Sequence, residues 1–442
     1  MRIHLIFAVV LYLGTSGTAR AQSNDSPPPS GTNTAAAKPL TLKDAETLAL
    51  KNNPQVTIGR LRALEAQQYV RETRSALLPT AYLSLTAVDS DAGSRVAAGA
   101  LNNPVIFPRA AAGATVSQLI TDFGRTTNLL SSSEAQAKAE DKNAVATAAD
   151  ITLAVDQSFF NALETRELVK VAQQTITTRQ TLVDRVQALT RAKLRSDLDL
   201  SFANVDLSRA KLLLIEAQNN YQASLATLSA LLGYADQQNW ELVETGSELT
   251  PPLPDVQSLI SQALQQRPEV ASLQFQYEAA RKTEAAEHDL WRPTVSALGT
   301  AGIVPVRDPA IPHWYGAAGV NVNIPVFNGF LYNARAKTAD LQAEAVRQRL
   351  LDLKNNVARS VRVSWQDAGR AYARLEVTQQ MRQQATLALD LAQQRYNLGL
   401  SSIVEFSQAE LGKTEADIAD TDARYQYQLA EIVLAYVTAT PR

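Results

Sequence analysis

The chain has 442 residues, is 45% hydrophobic and 19% charged, and carries a formal net charge of −2. That is enough apolar material for two or three packed domains, and the near-neutral balance argues against nucleic acid as a partner. The absence of cysteine excludes disulfides, thiolate metal sites and a lipid-anchored N-terminal cysteine.

Aromatic residues make up only 6%, while Ala, Leu and Gln are abundant, a mixture that favours long helices over an all-β protein. Met1 and Arg2 give a short basic start, Ile3 to Leu13 are apolar apart from His4, and Ala19-Arg20-Ala21 is a small-x-small cleavage site. Residues 1–21 therefore read as a signal peptide, with the mature chain starting at Gln22. Losing Arg2 and Arg20 takes the formal charge from −2 to −2 − 2 = −4. The Ser/Thr/Pro/Ala-rich stretch 22–40 reads as a flexible leader. Beyond the signal, no run of eighteen apolar residues is present, so any membrane-embedded part must be built from strands.

The remainder is a duplication. Thr41 to Pro54 reappears as Val256 to Pro268, and Pro54/Pro79 match Pro268/Pro293 at an offset of 268 − 54 = 214. Later landmarks match at 361 − 155 = 206, among them Val155/Val361, Phe159/Trp365, Leu194/Leu400, Ala203/Ala409 and Tyr221/Tyr427. The halves are 41–232 and 256–442, joined by a linker over 233–255 that contains Pro251, Pro252 and Pro254.

Each half predicts the same order. A short helix ends before a proline, because a pre-proline residue disfavours α geometry. A helix follows over 54–78 or 268–292. Two strands come next, at 80–90 and 104–121 or at 294–304 and 316–326. A very long helix runs over 125–191 or 331–396, and a last one over 197–232 or 403–439. Leu200, Leu207, Leu214, Tyr221 and Leu228 recur every seven residues, as do Val404, Leu411, Ile418, Tyr425 and Ile432. Such spacing suits coiled-coil-like packing, and an ordinary helical bundle gives the same pattern. At 1.5 Å per residue, 125–191 makes a helix roughly 100 Å long, far more than a compact domain needs.

In Gly319-Val-Asn-Val-Asn-Ile324 the apolar Val320, Val322 and Ile324 share one face and Asn321 and Asn323 the other. A wall between lipid and water has this pattern, and so has a half-buried strand of a soluble sheet. Ser90 to Asn103 and Pro305 to Tyr315, rich in Gly, Pro, Asp and Ala, read as exposed loops. Four strands cannot close a transmembrane barrel, and an open edge is not tolerated in lipid. If the strands are in a membrane, several copies must share one barrel.

The chain resembles the TolC-type outer-membrane factors over about 40–440. The resemblance rests on the doubled start seen at Asp44 to Pro54, on Thr121-Asp-Phe-Gly-Arg125 and Ile324-Pro-Val-Phe-Asn-Gly329, and on Arg395-Tyr-Asn-Leu-Gly-Leu-Ser-Ser402. It implies a mainly α fold with a small β part. In a homotrimer, each chain would give four strands to a twelve-stranded transmembrane barrel continued by a long helical coiled-coil barrel. It also implies an outer-membrane location reaching into the periplasm, contact with outer-membrane lipid, and two partners, a periplasmic adaptor and an inner-membrane transporter of an efflux or type I secretion system.

The same resemblance makes the two helix breaks, 192–197 and 397–402, the lower tip of the tube. Adaptor contact then falls to Leu194, Arg195, Ser196, Gly399, Leu400, Ser401 and Ser402. Gly399 suits a turn with positive φ, whereas Lys193 stands where the family usually has glycine. Ser196 and Ser402 are equally good helix N-caps. Tyr396 matches an inward tyrosine of the family's entrance, Glu405 one of its acids, and Asp199 the first-half counterpart at offset 206, while Gln408 replaces a second acid. Three acids brought together by a trimer favour cations and raise one another's pKa. Glu405 and Asp199 also suit a first helical turn for simple dipole reasons.

An enzyme is not supported. After the signal only His288 and His313 remain, on different elements and without metal-ligand spacing, and Glu287-His288-Asp289 reads as a solvated helix end. No phosphate loop or dinucleotide fingerprint is present, and no cofactor is implied. Other classes weighed are a periplasmic adaptor, a soluble coiled-coil scaffold and a secreted enzyme.

Overall fold

The computed structural model describes residues 38–89, 108–244, 251, 255–307, 310 and 312–440. The predicted signal peptide 1–21, the leader up to residue 37, the loop 90–103 and the start of the predicted strand 104–121 lie outside the described residues, as do parts of the loop 305–315 and of the linker.

The first half runs β1 (Lys38–Leu40), α1 (Leu42–Asn52), α2 (Pro54–Ser75), β2 (Thr80–Val88), β3 (Arg109–Thr121), α3 (Arg125–Arg191) and α4 (Asp197–Leu231), followed by β4 (Trp240–Leu242). The second half runs α5 (Val256–Gln266), α6 (Pro268–His288), a 3₁₀ turn (Asp289–Trp291), β5 (Thr294–Val306), β6 (Trp314–Asn323), α7 (Leu331–Asn397) and α8 (Ile403–Val437).

Local chemistry sets these boundaries. Thr41 and Asp44 form a capping box on α1, and Asn53 caps α2, whose first residue is Pro54. This satisfies orphan amides at a position where proline has none to lose. The helix expected to reach 78 stops at Ser75, because Leu77 and Leu78 turn back to the carbonyls of Arg74 and Ser75 ahead of Pro79. Likewise α6 stops at His288 and the chain tightens into the 3₁₀ turn before Pro293.

Both long helices have 67 residues, which makes each about 100 Å long. One end of α3 packs on α2, with Thr73 bonded to Ser133. Its other part packs on α4, with Thr165 bonded to Ser224. So two shorter helices stack along one long one. The core is correspondingly spread out. One cluster joins Leu40, Ala45, Val155, Phe159, Leu228 and Leu242, its second-half counterpart joins Leu259, Ile260, Val270, Val357 and Val361, and a third sits at the two interhelical turns.

Strands β2, β3, β5 and β6 form one antiparallel sheet in that order. Tyr315 on β6 lies over Gly113 and Gly302, which face each other across β3 and β5, so neither position has room for a Cβ beneath the ring. Among the described residues, no helix is long and apolar enough to cross a membrane.

Two expectations need correcting. The stretch 22–40 is not flexible to its end, and 233–255 is not merely a linker. Lys38–Leu40 pairs in parallel with Trp240–Leu242. Leu40 and Leu242 are buried in the first core, and Trp240 packs edge-on against Tyr234. Three-residue strands are too short to show an alternation, which is why pattern reading misses them.

Candidate functional site

At the two helix breaks expected to form the tip, α3 passes to α4 and α7 to α8 through turns of one design. Leu194 donates its amide to the Leu189 carbonyl and Lys193 to Thr190, and Leu400 donates to Arg395 and Gly399 to Tyr396. These are Schellman closures, which require a left-handed residue after the helix. Gly399 has φ +75 and Lys193 adopts φ +59 in the same place, so the missing glycine does not alter the turn. Three residues on, Ser196 and Ser402 cap the next helices through the amides of Asp199 and Glu405. Leu194 and Leu400 project from the turns, 70% and 67% exposed, and apolar side chains this open at a helix end are candidates for contact with another protein.

The proposed entrance residues are held differently from one another. Tyr396 does not project in the single chain; its ring is buried with Leu182, Val186, Ile403 and Phe406 and stacks on Phe406 at 5.5 Å. The Arg195 guanidinium lies 4.4 Å from the Tyr396 ring centroid and donates to its carbonyl at 3.3 Å, while Arg185 donates to Asn397 at 2.8 Å. The two turns are thereby tied to each other. Burial pushes the Tyr396 hydroxyl above the usual phenol range, with Asp199 adding to the rise and Arg195 and Arg185 opposing it. Glu405 pairs with Arg395 at 3.3 Å, both about half exposed, and Asp199 closes a capping box with Ser196.

Further up the helices lie buried charges with no recognisable sequence pattern. Glu410 on α8 is 3% exposed, and neither carboxylate oxygen has a hydrogen-bond partner among the described residues. Burial pushes it up to about 7, with Asp206 adding to the rise and Arg179 opposing it. Arg179 and Asp206 are themselves paired at 3.6 Å, and Glu410, Arg179, Lys413 and Asp417 line a 140 Å³ cavity. Glu164 on α3 is also pushed up to about 7 by burial and by a hydrogen bond with Asp422, which Arg374 holds at 2.6 Å.

The sheet exposes an apolar face and two open edges. All ten residues of β6 are exposed, and apolar side chains stand out along one face of it and of β2, among them Leu83, Leu85, Val320 and Val322. At one end of the sheet Trp314 stands on that apolar face while Tyr315 covers Gly113 and Gly302 on the other, and Phe123, Trp291, Phe327 and Phe330 lie exposed beyond the opposite end. Exposed apolar side chains on one face of a sheet with aromatic residues toward its ends are the pattern a lipid-facing strand wall has. Among the described residues one group could hold a metal ion, Glu284, His288 and Asp340. Sequence reading finds no such site, because Asp340 lies 52 residues from His288 and is returned to it by the β5–β6 hairpin.

Comparison with known proteins agrees with this geometry. The family model for outer membrane efflux protein matches twice, at residues 47–234 and 259–440. The chain is 24% identical over 332 residues to the cobalt-zinc-cadmium resistance protein CzcC of Cupriavidus metallidurans, covering 74% of each. Its fold matches the crystal structure of CusC with a TM-score of 0.78 at 18% identity, over 90% of this chain and 91% of that one. It also matches the Campylobacter jejuni CmeC outer membrane channel with a TM-score of 0.77 at 18% identity, over 90% of this chain and 85% of that one. Matched over both of its halves, the chain belongs to the outer membrane efflux protein family and is an outer-membrane efflux channel subunit, not an enzyme.

Proposed function

We propose that three copies of this chain close one twelve-stranded barrel and continue it as a helical duct through the periplasm, giving exported molecules a passive path. The observation that carries this reading is the unfinished sheet. β2 and β6 are its edges, and the apolar residues along them are exposed in the single chain. Open edges leave backbone amides and carbonyls unsatisfied in lipid, each costing several kcal/mol, roughly what a lost hydrogen bond costs in hydrocarbon. Copies that join β6 of one chain to β2 of the next remove both edges.

A periplasmic adaptor would seat on the tip, on Leu194, Arg195, Ser196, Gly399, Leu400, Ser401 and Ser402, and an inner-membrane transporter would supply the energy. Tyr396, Glu405 and Asp199 would govern the entrance. The buried Tyr396 favours an action through the Arg195 contact, holding the two turns together, rather than through a ring projecting into the duct. Glu405 and Asp199, repeated by threefold symmetry, would attract cations to the entrance. CzcC is by name a cobalt, zinc and cadmium resistance protein, so divalent transition metals are the first cargo to test.

The test is membrane fractionation followed by native mass measurement in detergent. A trimer in the outer membrane is expected, and a monomer in the soluble periplasm would overturn the reading. For the entrance, Glu405→Gln with Asp199→Asn should weaken cation block of the channel in planar bilayers, and unchanged block would remove the acidic assignment.

A further inference from the structure

Among the described residues, the second half carries a three-donor cluster that the first half lacks, although the two are built to the same plan. His288 Nε2 lies 2.9 Å from Asp340 Oδ1, and one donor atom each from Glu284, His288 and Asp340 lie within 4.8 Å of one another. Glu284 and His288 are four apart on α6, so both face the same way, and Asp340 reaches them from α7. The duplication supplies a built-in control. At offset 214 the counterpart of His288 is Arg74, 288 − 214 = 74, and at offset 206 the counterpart of Asp340 is Glu134, 340 − 206 = 134. Arg74 and Glu134 are an ordinary ion pair at 3.4 Å. The counterpart of Glu284 is Val70, 284 − 214 = 70. The second half thus replaces a guanidinium, which cannot ligate, with an imidazole, which can, and replaces a valine with a third donor.

We infer that Glu284, His288 and Asp340 bind one divalent transition-metal ion of the zinc type, clamping α6 to α7. One imidazole and two carboxylates form a donor set that zinc accepts, leaving a coordination position for water. Imidazole disfavours calcium and magnesium, which take oxygen ligands. Ligand bonds of about 2.1 Å place tetrahedral donors roughly 3.4 Å apart. The cluster must therefore contract by about an ångström, a rotamer adjustment that these partly exposed side chains can make. Two cations compete for the carboxylates, Arg281 at 3.1 Å from Glu284 and Lys337 at 3.7 Å from Asp340. Both are neighbours on one helix, and exposed pairs of this kind contribute only about 0–1 kcal/mol each. They are displaced at little cost.

The position gives the ion a task. His288 ends α6 ahead of β5, and Asp340 sits near the start of α7 after β6. The ion would close the base of the β5–β6 hairpin where the helical tube meets the sheet. This clamp is independent of which molecules the channel exports.

The test uses the mature full-length chain purified in detergent with its affinity tag removed, titrated with Zn²⁺ alone. After dialysis, one zinc per chain is expected by elemental analysis. His288→Ala and Asp340→Asn should each weaken zinc binding roughly tenfold or more, the scale on which even outer-shell partners act. His313→Ala, which alters the other histidine of the mature chain, should leave binding unchanged. Native mass measurement of each variant checks that the assembly is retained, since His288 is about half exposed and its loss opens no core. No zinc on the wild-type chain, or equal binding by wild type and His288→Ala, would overturn the assignment and leave His288 and Asp340 as an ion pair like Arg74 and Glu134.

Discussion

The two halves differ most informatively where their backbones agree. Among the described residues, eight have positive φ, and they form four pairs at one offset: Phe123 and Gly329, Gly124 and Phe330, Lys193 and Gly399, Gly233 and Ala439, each 206 apart as in 399 − 193 = 206. Every pair contains one glycine and one residue that is not. The fold therefore requires a left-handed residue at these four places but does not require glycine, whose absence costs about 1–2 kcal/mol in this conformation. The flanking hydrogen bonds hold the geometry instead, as at Gly233 and Ala439, whose amides return to Ala230 and Tyr436 at 3.0 Å.

The sharpest way to break this equivalence is at Gly233. A Cβ there would meet the Asn52 carbonyl oxygen at 2.8 Å, whereas at Gly399 it would meet nothing within 4 Å. Gly233→Ala should therefore destabilise the folded chain by about 2–3 kcal/mol, from left-handed strain and overpacking together. Gly399→Ala should cost only about 1 kcal/mol, as strain alone. Denaturant midpoints in detergent compare the two, and equal losses would show that backbone strain alone sets the cost.

A second difference lies at Glu410, whose first-half counterpart, 410 − 206 = 204, is the exposed Asn204. A carboxyl raised from 4.5 to about 7 on folding keeps a proton that the unfolded chain releases. Its contribution is most favourable below about pH 4.5, falls as pH rises through that window, and is lost above about 7. Glu410→Gln should remove this slope and, at pH 8, stabilise the fold by about 1–2 kcal/mol, since it relieves an ionised group without a hydrogen-bond partner. Thermal melts of both proteins between pH 4 and 8 measure the effect. Parallel profiles would mean that Arg179 already compensates the buried charge.

Smaller changes sharpen the comparison further. Lys193→Gly copies the second-half turn and should stabilise the tip by up to about 1 kcal/mol, seen as slower proteolysis at residues 192–197. Val70→Glu combined with Arg74→His copies the second-half donors beside Glu134. Zinc content should rise from one to two ions per chain, and a single ion would mean that more than these three donors defines the site.

How far the sequence foretold these features follows the range of each interaction. Long helices were legible because heptad spacing repeats over many turns, and their ends because Pro54, Pro268, Ser196 and Ser402 act within a residue or two. The strands of the sheet were legible from alternation such as Val320-Asn-Val-Asn323, though the ends expected at 90, 304, 316 and 326 are each off by two or three residues. The β1–β4 pair was not, since three residues carry no period and their partners lie some 200 positions apart. The Glu284, His288 and Asp340 group escaped notice for the same reason, as did Glu410, whose burial is decided by α3 and α4 rather than by its own neighbours. Tyr396 stands out by its place in the Arg395–Ser402 motif, but its burial beneath Arg195 depends on a contact across 201 residues.

The shared barrel is tested most directly by covalent trapping, for which a chain without cysteine is well suited. The sheet alternates direction from β2 to β6, so β6 of one chain should meet β2 of the next antiparallel. One cysteine placed in Thr80–Val88 and one in Trp314–Asn323, screened across registers in outer membranes and oxidised, should yield linked species ending at three chains. Monomers at every register would contradict a barrel completed by neighbouring copies.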